Sequence, residues 1–460
     1  MPAFVSRQRW FASKGETSGR FGIVHIVGFA GDDRSLLLIV EVATAGATIH
    51  YQLPVTLVWD EPSHARDIVA EVQAGGDRGW LVDAYSDDAF VRQLVTPHPA
   101  PSTDGVSFRP TAALAPSMLA DARISRPNAE QSNTSIRIGP AILKAYRRLA
   151  EGVHPEQEIG AFLTDRRFAG VPALLGTVEL SRADEPPMVL GIMQGLIANA
   201  ADGWTYVTER LTGIGAGDRT AAIELEHVAD KLGSCTAGLH LALAGNSEHP
   251  DFAPSPVPDH WIREWADEIT ASAGVLFPRL DRQSGSRALP VDLHQVKACI
   301  ADAAVTASAF STIRVHGDYH LGQVLVTDTD IFIVDFEGEP MRPLAVRRQK
   351  GAPLRDVAGM LRSFDYALAV HDGSAPTSEA TAAVADAKRR FLQCYMARIK
   401  GSAGFPADLD GANKILMLGL MEKTLYEISY ELDNRPDWVS IPLRGLRDII
   451  GTPESYRFVA

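Results

Sequence analysis

The chain has 460 residues, enough for two or three domains with a large buried core. Acidic side chains outnumber basic ones by 57 to 44, so the formal net charge of -13 argues against nucleic acid or an anionic membrane surface as a partner. The first ten residues contain no signal-peptide core, and no window has the apolar length of a membrane span, so we expect a cytoplasmic protein. We also expect buried, reduced thiols at the widely spaced Cys235, Cys299 and Cys394.

Residues 1–95 alternate short apolar runs with Gly/Asp turns, a pattern typical of antiparallel strands. The segment 96–103 is rich in Pro, Ser and Thr, which indicates a linker. We therefore predict an N-terminal subdomain over 1–95, a second lobe with linker and hinge over 96–200, and a mostly helical lobe over 201–460.

A predicted hairpin over 134–146 places Lys144 on its second strand. An ATP-dependent phosphotransferase needs a lysine in such a place to reach the α- and β-phosphates, held by a glutamate of the next helix. Glu158, near the start of a helix predicted from Pro155, fits that role, with Glu156 as its rival. A solvated edge lysine and a glutamate favoured only by the helix dipole are the alternatives.

The residues on either side of this hairpin complete the predicted nucleotide site. No Gly-rich loop precedes Lys144, but a polar turn offers hydroxyl, amide and backbone donors to phosphates, from Ser132, Asn133, Thr134 and Ser135. An ordinary turn is the alternative. After the strand-like run 188–193, we expect backbone hydrogen bonds to adenine from Gln194, Gly195 and Leu196.

The stretch 315–323 predicts the catalytic loop. Asp318 is the expected base that orients and deprotonates the attacking hydroxyl, and His316 is grouped with it, chiefly to orient the loop. Gln323 follows five positions after Asp318, the Asp-to-Asn spacing of a kinase catalytic loop, so its amide oxygen is an expected Mg²⁺ ligand. Asp335, at the end of a predicted buried strand, is the second. A simple turn with Asp318 capping a backbone amide is the alternative.

The rest of the chain from Gly203 has a helical pattern. One apolar stripe over 229–243 predicts a packing face in which His240 is a satisfied core residue. Asp356 begins a later helix, where it either caps that helix or braces the catalytic loop by accepting backbone hydrogen bonds.

Eight segments between residues 9 and 438 together point to one family. They are Arg9-Trp10-Phe11 with Lys14, 51–54, 143–148, 202–204, 316–323, 335–340, 353–363 and 422–438. In these segments the chain resembles bacterial maltokinases. The resemblance implies an α+β, bilobal, protein-kinase-like fold of the aminoglycoside-phosphotransferase type with a β-rich N-terminal cap. It also implies ATP and Mg²⁺ as cofactors, and conversion of maltose to maltose 1-phosphate for α-glucan synthesis.

Other functions stay open at this stage. Glucosamine kinases look similar over the same catalytic motifs, so an aminosugar kinase is the alternative enzyme. A catalytically silent pseudokinase or a sugar-binding regulator is the alternative from another class. The sequence also leaves open an association with a trehalose/maltose-interconverting enzyme.

The predicted acceptor site lies near the C-terminus. On a helix, Tyr426 and Tyr430 share one face, and Glu427 and Glu431 share the adjacent one. Sugars suit such a surface, because their C–H faces stack on aromatic rings and their hydroxyls donate to carboxylates. Packing tyrosines with solvated glutamates are the alternative.

Overall fold

The computed structural model describes residues 1–11, 20–29, 32–43, 48–62, 67–97, 105–127, 133–182, 185–245, 248–258, 260–284, 289–305, 309–339, 342–371 and 377–459. Lys14 and Ser132, named above, lie outside these residues. The chain forms two compact units. The first comprises Met1–Arg167 and Pro172–Leu196, and the second comprises Phe168–Val171 and Ile197–Ala460.

The first unit is built mainly of strands. Its elements are α1 (Pro2–Arg7), β1 (Arg20–Phe29), β2 (Asp32–Ala43), β3 (Thr48–Val58), β4 (Ile68–Ala74), β5 (Asp77–Asp83), α2 (Asp88–Leu94), β6 (Gly105–Pro110), β7 (Ile124–Ser125), β8 (Thr134–Ile138), β9 (Ala141–Ala145), β10 (Arg148–Leu149), α3 (Pro155–Asp165), β11 (Leu174–Arg182) and β12 (Glu185–Gly195). The first sheet has the order β1-β2-β3-β5-β4, with β10 paired to β3. The second sheet has the order β6-β11-β12-β9-β8-β7. Neighbouring strands in both are antiparallel, as the sequence predicts for residues 1–95.

Strand β2 has apolar residues on both of its faces. Because side chains alternate along a strand, Leu37 and Ile39 enter a core shared with α2 and the second sheet. Leu38 and Val40 enter a separate core with α1 and Trp10. The continuous apolar run of β2 therefore reflects burial on both sides of the first sheet.

Strands β8 and β9 form the predicted hairpin, with Ser135 opposite Lys144 in the register. Gly139 makes the turn in the left-handed region, at a φ of 55°, which glycine adopts without steric cost. Helix α3 then begins at Pro155, as predicted.

The second unit is mostly helical, as expected for the C-terminal half. Its elements are β13 (Ala201–Asp202), α4 (Gly203–Gly215), α5 (Arg219–Ala244), β14 (Ser255–Pro256), α6 (Trp261–Ser284), α7 (Leu293–Ala304), β15 (Ser311–Thr312), β16 (Val324–Val326), β17 (Ile331–Ile333), α8 (Leu344–Arg347), α9 (Leu354–His371), α10 (Ser378–Ile399), α11 (Leu409–Asn434) and α12 (Ser440–Gly451). Side-chain N-caps that satisfy free backbone amides start several of these helices, from Asp202, Asp218, Asp292, Thr377 and Asp408.

Helix α9 lies at the centre of this unit, with Val357, Met360 and Phe364 fully buried. The short insertion Phe168–Val171 joins the same unit, where the carbonyl of Gly170 accepts a 2.8 Å hydrogen bond from the amide of Ile333. The cysteines are free thiols and only partly buried, less than expected. Among the described residues, no helix is long and apolar enough to cross a membrane.

Candidate active site

A buried carboxylate holds the loop that carries Asp318. Asp356 accepts the amide of His316 at 2.8 Å and the amide of Gly317 at 3.0 Å. Its third donor is Nε2 of the fully buried His240, at 3.1 Å. Burial alone would raise the pKa of the Asp356 carboxyl, but the hydrogen bond from His240 and the nearby imidazoles hold it below its ordinary value. His240 is therefore the satisfied core residue that the sequence predicts, and of the two roles left open for Asp356 the structure shows the one that braces the loop.

The ring of His316 orients the same loop. Its Nε2 donates to the carbonyl of Val334 at 2.9 Å, and its Nδ1 accepts the amide of Asp318 at 3.4 Å. The ring also packs against Tyr319 and Phe336, with centroids 5.2 and 4.8 Å away. Both nitrogens are thus engaged within the protein, which agrees with the orienting role expected of His316, and a direct part in catalysis stays a prediction.

Asp318 is paired with a lysine that the sequence interpretation missed. Lys423 of α11 places its Nζ 2.9 Å from Oδ1 of Asp318 and 3.5 Å from Oε1 of the buried Glu339. Burial would raise the pKa of the Asp318 carboxyl, but the Lys423 ammonium brings it below its ordinary value. Asp318 is therefore ionised at neutral pH and ready to accept a proton. Among the described residues, its Oδ2 receives no hydrogen bond from the protein.

Gln323 and Asp335 lie at the same end of the hairpin formed by β16 and β17. Val324 pairs with Ile333, and the amide of Val334 donates to the carbonyl of Gln323 at 3.0 Å. Asp335 has a left-handed backbone with a φ of 69°, which costs about 1–3 kcal/mol for a residue with a side chain. Such strain is common at functional sites. An amide and a carboxylate at the same end of one hairpin suit a magnesium ion, which prefers oxygen ligands.

A cavity of about 350 Å³ opens beside Asp318 and Lys423. One wall comes from α6, with Trp261 half-buried and Trp265 buried. Ion pairs connect other residues that line the cavity. Arg342 pairs with Glu339 at 2.5 Å and with Glu422 at 3.2 Å, and Arg355 pairs with Glu422 at 2.7 Å. The cavity therefore combines aromatic surface with fixed charges next to the expected base, as ligand pockets commonly do.

In the first unit, Lys144 pairs with Glu156. Its Nζ lies 2.8 Å from Oε2 of Glu156, whose side chain is only 1% exposed. The partner observed is thus the rival residue of the sequence analysis, and a role for Glu158 stays a prediction. Glu156 shares the buried face of α3 with Ile159, Gly160 and Leu163, three, four and seven positions later. Counting helical spacing from the apolar residues would have found it.

The predicted adenine segment is only partly available. The amide of Gly195 donates to the carbonyl of Ala173 at 2.9 Å, and the amide of Leu196 donates to the carbonyl of Pro140 at 2.8 Å. Gln194 lies within β12, paired to β9 and β11. These two amides are therefore used within the fold, and hydrogen bonds to adenine from the backbone of this segment stay a prediction.

Two family models match the chain. Residues 4–87 match the maltokinase N-terminal cap domain, and residues 123–369, more than half of the chain, match the phosphotransferase enzyme family. The chain belongs to the phosphotransferase enzyme family. The predicted enzyme class and the N-terminal cap are thereby confirmed.

Glucosamine kinases are among the relatives of this phosphotransferase. One from Mycolicibacterium smegmatis is 30% identical over 327 residues, which are 70% of this chain and 78% of that protein. One from Streptacidiphilus jiangxiensis is 28% identical over 335 residues, 70% of this chain and 72% of that protein.

Solved structures confirm the kinase-like fold. A glucosamine kinase, crystal form B, has a TM-score of 0.68 and 20% identity, over 98% of this chain and 99% of that chain. A glucosamine kinase in complex with glucosamine, ADP and inorganic phosphate has a TM-score of 0.62 and 22% identity, over 97% and 98%.

The glutamates expected to bind the acceptor of this phosphotransferase are held by ion pairs. Oε2 of Glu427 accepts two hydrogen bonds from the buried Arg362, at 2.8 and 3.1 Å. Glu431 is 2% exposed and accepts from Arg435 at 2.6 and 2.9 Å and from the hydroxyl of Tyr366 at 2.5 Å. The prediction that Glu431 binds the acceptor was therefore wrong, because its carboxylate oxygens are buried and already accept hydrogen bonds from Arg435 and Tyr366. Among the described residues, Oε1 of Glu427 receives no hydrogen bond.

The two tyrosines differ in their relation to Asp318. Tyr426 lies beside the site, with the Lys423 ammonium 5.0 Å from its ring centroid. Burial and then the charge of Glu339 raise the pKa of Tyr426 to about 12. Tyr426 also lines a second cavity of about 550 Å³ that shares Arg342 and Glu422 with the first. Tyr430 stacks on Tyr426 at 6.4 Å and is 42% exposed, so its place in the acceptor site stays a prediction.

Proposed function

We propose that this phosphotransferase is an ATP-dependent sugar kinase whose acceptor is maltose, phosphorylated at the anomeric hydroxyl to maltose 1-phosphate. The observation that carries the choice of acceptor is the match of residues 4–87 to the maltokinase N-terminal cap domain.

In the proposed reaction, Asp318 orients the anomeric hydroxyl and accepts its proton. The sugar oxygen forms a bond to the γ-phosphorus while the bond from that phosphorus to the β-bridging oxygen breaks, and ADP leaves. Lys423 holds Oδ1 of Asp318, which directs Oδ2 toward the hydroxyl. Because the carboxylate is already ionised, no prior deprotonation is needed at neutral pH.

Gln323 and Asp335 are the residues we propose to hold Mg²⁺, by an amide oxygen and a carboxylate. When bound, the ion would neutralise charge on the phosphates of ATP. The shared hairpin end and the strained backbone of Asp335 support this role.

For the nucleotide, we propose that Lys144 contacts the α- and β-phosphates and that Glu156 fixes it. Ser135, which faces Lys144 across the hairpin, and its neighbours Asn133 and Thr134 are proposed to donate to the phosphates. That a solved glucosamine kinase of the same fold contains ADP supports a nucleotide site here.

Glucosamine is the second candidate acceptor. Relatives named glucosamine kinase favour it, and two exposed glutamates of α6, Glu264 and Glu268, line the cavity beside Asp318. Their charge would attract an aminosugar at the cavity wall. Cytoplasmic location and association with a trehalose/maltose-interconverting enzyme stay predictions.

An assay of ADP release with maltose, glucosamine and glucose tests the proposal. We expect the highest kcat/KM with maltose, dependence on Mg²⁺, and a sugar 1-phosphate product by phosphorus NMR. Asp318→Asn is the matched control, because it keeps the shape of the side chain and removes the proton acceptor. It should lower kcat by at least about a hundredfold. A higher kcat/KM with glucosamine than with maltose would overturn the choice of acceptor.

A further inference from the structure

Gln52, on β3 of the first sheet, holds the chain immediately after the strand that carries Lys144. Its amide N–H donates to the carbonyl of Arg147 at 2.9 Å. Its side-chain Nε2 donates to the carbonyl of Tyr146 at 2.7 Å and to that of Leu190, on β12, at 2.5 Å. Its Oε1 accepts the hydroxyl of Tyr85 at 3.0 Å. The side chain has no exposed surface, so these bonds replace water completely.

Arg147 makes a second link from the first sheet. Its Nη2 lies 2.5 Å from Oδ2 of Asp83, at the end of β5, and its Nε donates to the hydroxyl of Thr134 at 2.7 Å. The guanidinium lies over the rings of Trp10 and Tyr85, 5.2 and 4.7 Å from their centroids. Thr134 begins β8, next to the residues proposed to contact phosphates. The position of its hydroxyl is therefore set by Arg147, which residues of the first sheet hold in turn.

Tyr146 carries the first link to the lysine. Its hydroxyl donates to Oε2 of Glu156 at 2.6 Å, and the same oxygen binds Nζ of Lys144 at 2.8 Å. A shift of the Tyr146 backbone would therefore move the oxygen that fixes Lys144. Since Gln52 bonds that backbone directly, the contacts run unbroken from β3 to the lysine.

We propose that the first sheet positions the nucleotide-binding groups: Gln52 fixes the Lys144–Glu156 pair, and Asp83 fixes Thr134 through Arg147. The N-terminal cap then contributes to nucleotide binding by holding these groups in place. This inference rests on the proposed function, because it assumes that Lys144 and Thr134 meet ATP.

A buried hydrogen bond elsewhere in the first sheet provides a matched control. The hydroxyls of Ser35 and Thr56, on β2 and β3, lie 2.8 Å apart and both residues are buried. This bond lies in the same sheet as Gln52, and its two residues are as buried as Gln52. None of its partners belongs to the strand of Lys144.

The experiment compares Gln52→Leu, Asp83→Asn and Ser35→Ala with the wild type. Calorimetric titration with Mg·ADP gives the Kd of the nucleotide, steady-state kinetics give KM for ATP and for maltose, and thermal denaturation gives Tm. We expect Gln52→Leu and Asp83→Asn to weaken ADP binding and raise KM for ATP about tenfold, the loss expected for one or two misplaced hydrogen bonds. KM for maltose should stay within about twofold of the wild type. Ser35→Ala should lower Tm and leave ADP binding unchanged.

Asp83→Asn keeps the shape of the residue and is a milder change than Gln52→Leu, so one informative variant remains if Gln52→Leu does not fold. Wild-type affinity for ADP in both variants, with a lowered Tm, would show that the contacts are only structural and would overturn the inference. A wild-type protein that binds no ADP would overturn the proposed function itself. Weakened ADP binding in Ser35→Ala equal to that in Gln52→Leu would also contradict the inference, because the effect would then follow from lost stability alone.

Discussion

Lys423 and Asp318 each stabilise the charged form of the other. Burial alone would lower the pKa of the Lys423 ammonium, but Asp318 and Glu339 raise it well above its ordinary value. Lys423 in turn brings the pKa of the Asp318 carboxyl down. The pair therefore stays fully ionised at neutral pH, with one carboxylate oxygen directed by the lysine and the other open to an acceptor.

Replacing Lys423 by Met should shift the pH dependence of the enzyme. Without the ammonium, burial remains and raises the pKa of Asp318, so the base becomes protonated at a higher pH. We expect the acid limb of the kcat/KM profile with maltose to move upward by about one unit or more. An acid limb in the same place as the wild type would contradict the role given to Lys423.

Glu156→Gln and Glu158→Gln form a matched pair on one helix turn. Glu156 is buried against Lys144, so losing its charge should raise KM for ATP and lower kcat, together reducing kcat/KM about tenfold or more. Glu158→Gln should cost less, because the side chain of Glu158 is less buried than that of Glu156. Steady-state kinetics at varied ATP measure both. An equal loss in the two variants would mean that Lys144 depends on both glutamates.

At the scale of elements, α9 organises the catalytic unit. Its first turn carries Asp356, which fixes the loop before Asp318, and its later turns carry Arg362 and Tyr366, which hold Glu427 and Glu431 of α11. One helix therefore orients both the loop of Asp318 and the helix that supplies Lys423. Burial of most of α9 makes this orientation rigid.

Asp356→Asn should destabilise the protein by about 2–4 kcal/mol at neutral pH, because an amide cannot accept all three donors of a buried carboxylate. The pKa of Asp356 is lowered in the folded state, so its stabilisation is present above the unfolded pKa and is lost as pH falls through the folded value. Urea denaturation should therefore show a difference between wild type and variant that shrinks below about pH 4. A constant difference across this range would contradict an ionised Asp356.

Local patterns predicted several elements well. The hairpin around Gly139 and the helix start at Pro155 follow from turn and capping chemistry within a few residues. The ion pairs of Lys423 with Asp318 and of Arg362 with Glu427 were missed. They join α11 to a distant loop and to α9, and such long-range contacts leave no local signal in the sequence. The engaged amides of Gly195 and Leu196 were missed for the same reason, since their acceptors lie on other segments.

At the scale of the whole chain, the first sheet is not a self-contained N-terminal piece. Its strand β10 comes from residues 148–149, after β6 to β9 of the second sheet, and the core around Leu37 includes residues of both sheets. Domain limits at 95 and 200 stay predictions. The packing shows only that the first 95 residues share their sheet and part of their core with residues later in the chain.

A fragment of residues 1–97 should therefore not fold cooperatively. It lacks β10 and would expose the face of β2 with Leu37 and Ile39 to water. We expect a broad, weak thermal transition by circular dichroism and strong binding of a hydrophobic dye. A sharp transition in this fragment would show that the first sheet is independently stable.

The tetrapeptide Phe168–Val171 has a consequence for dividing the molecule. The chain passes from the first unit to the second at residue 168, returns at 172 and leaves again after 196. A protein split after Leu196 would carry the four residues on the wrong half and take from Ile333 the carbonyl partner it bonds at Gly170. If the two halves were expressed separately, the first would have to insert this segment into the second before either could reach its native form. The enzyme is therefore a poor candidate for split-protein reporters cut at that point.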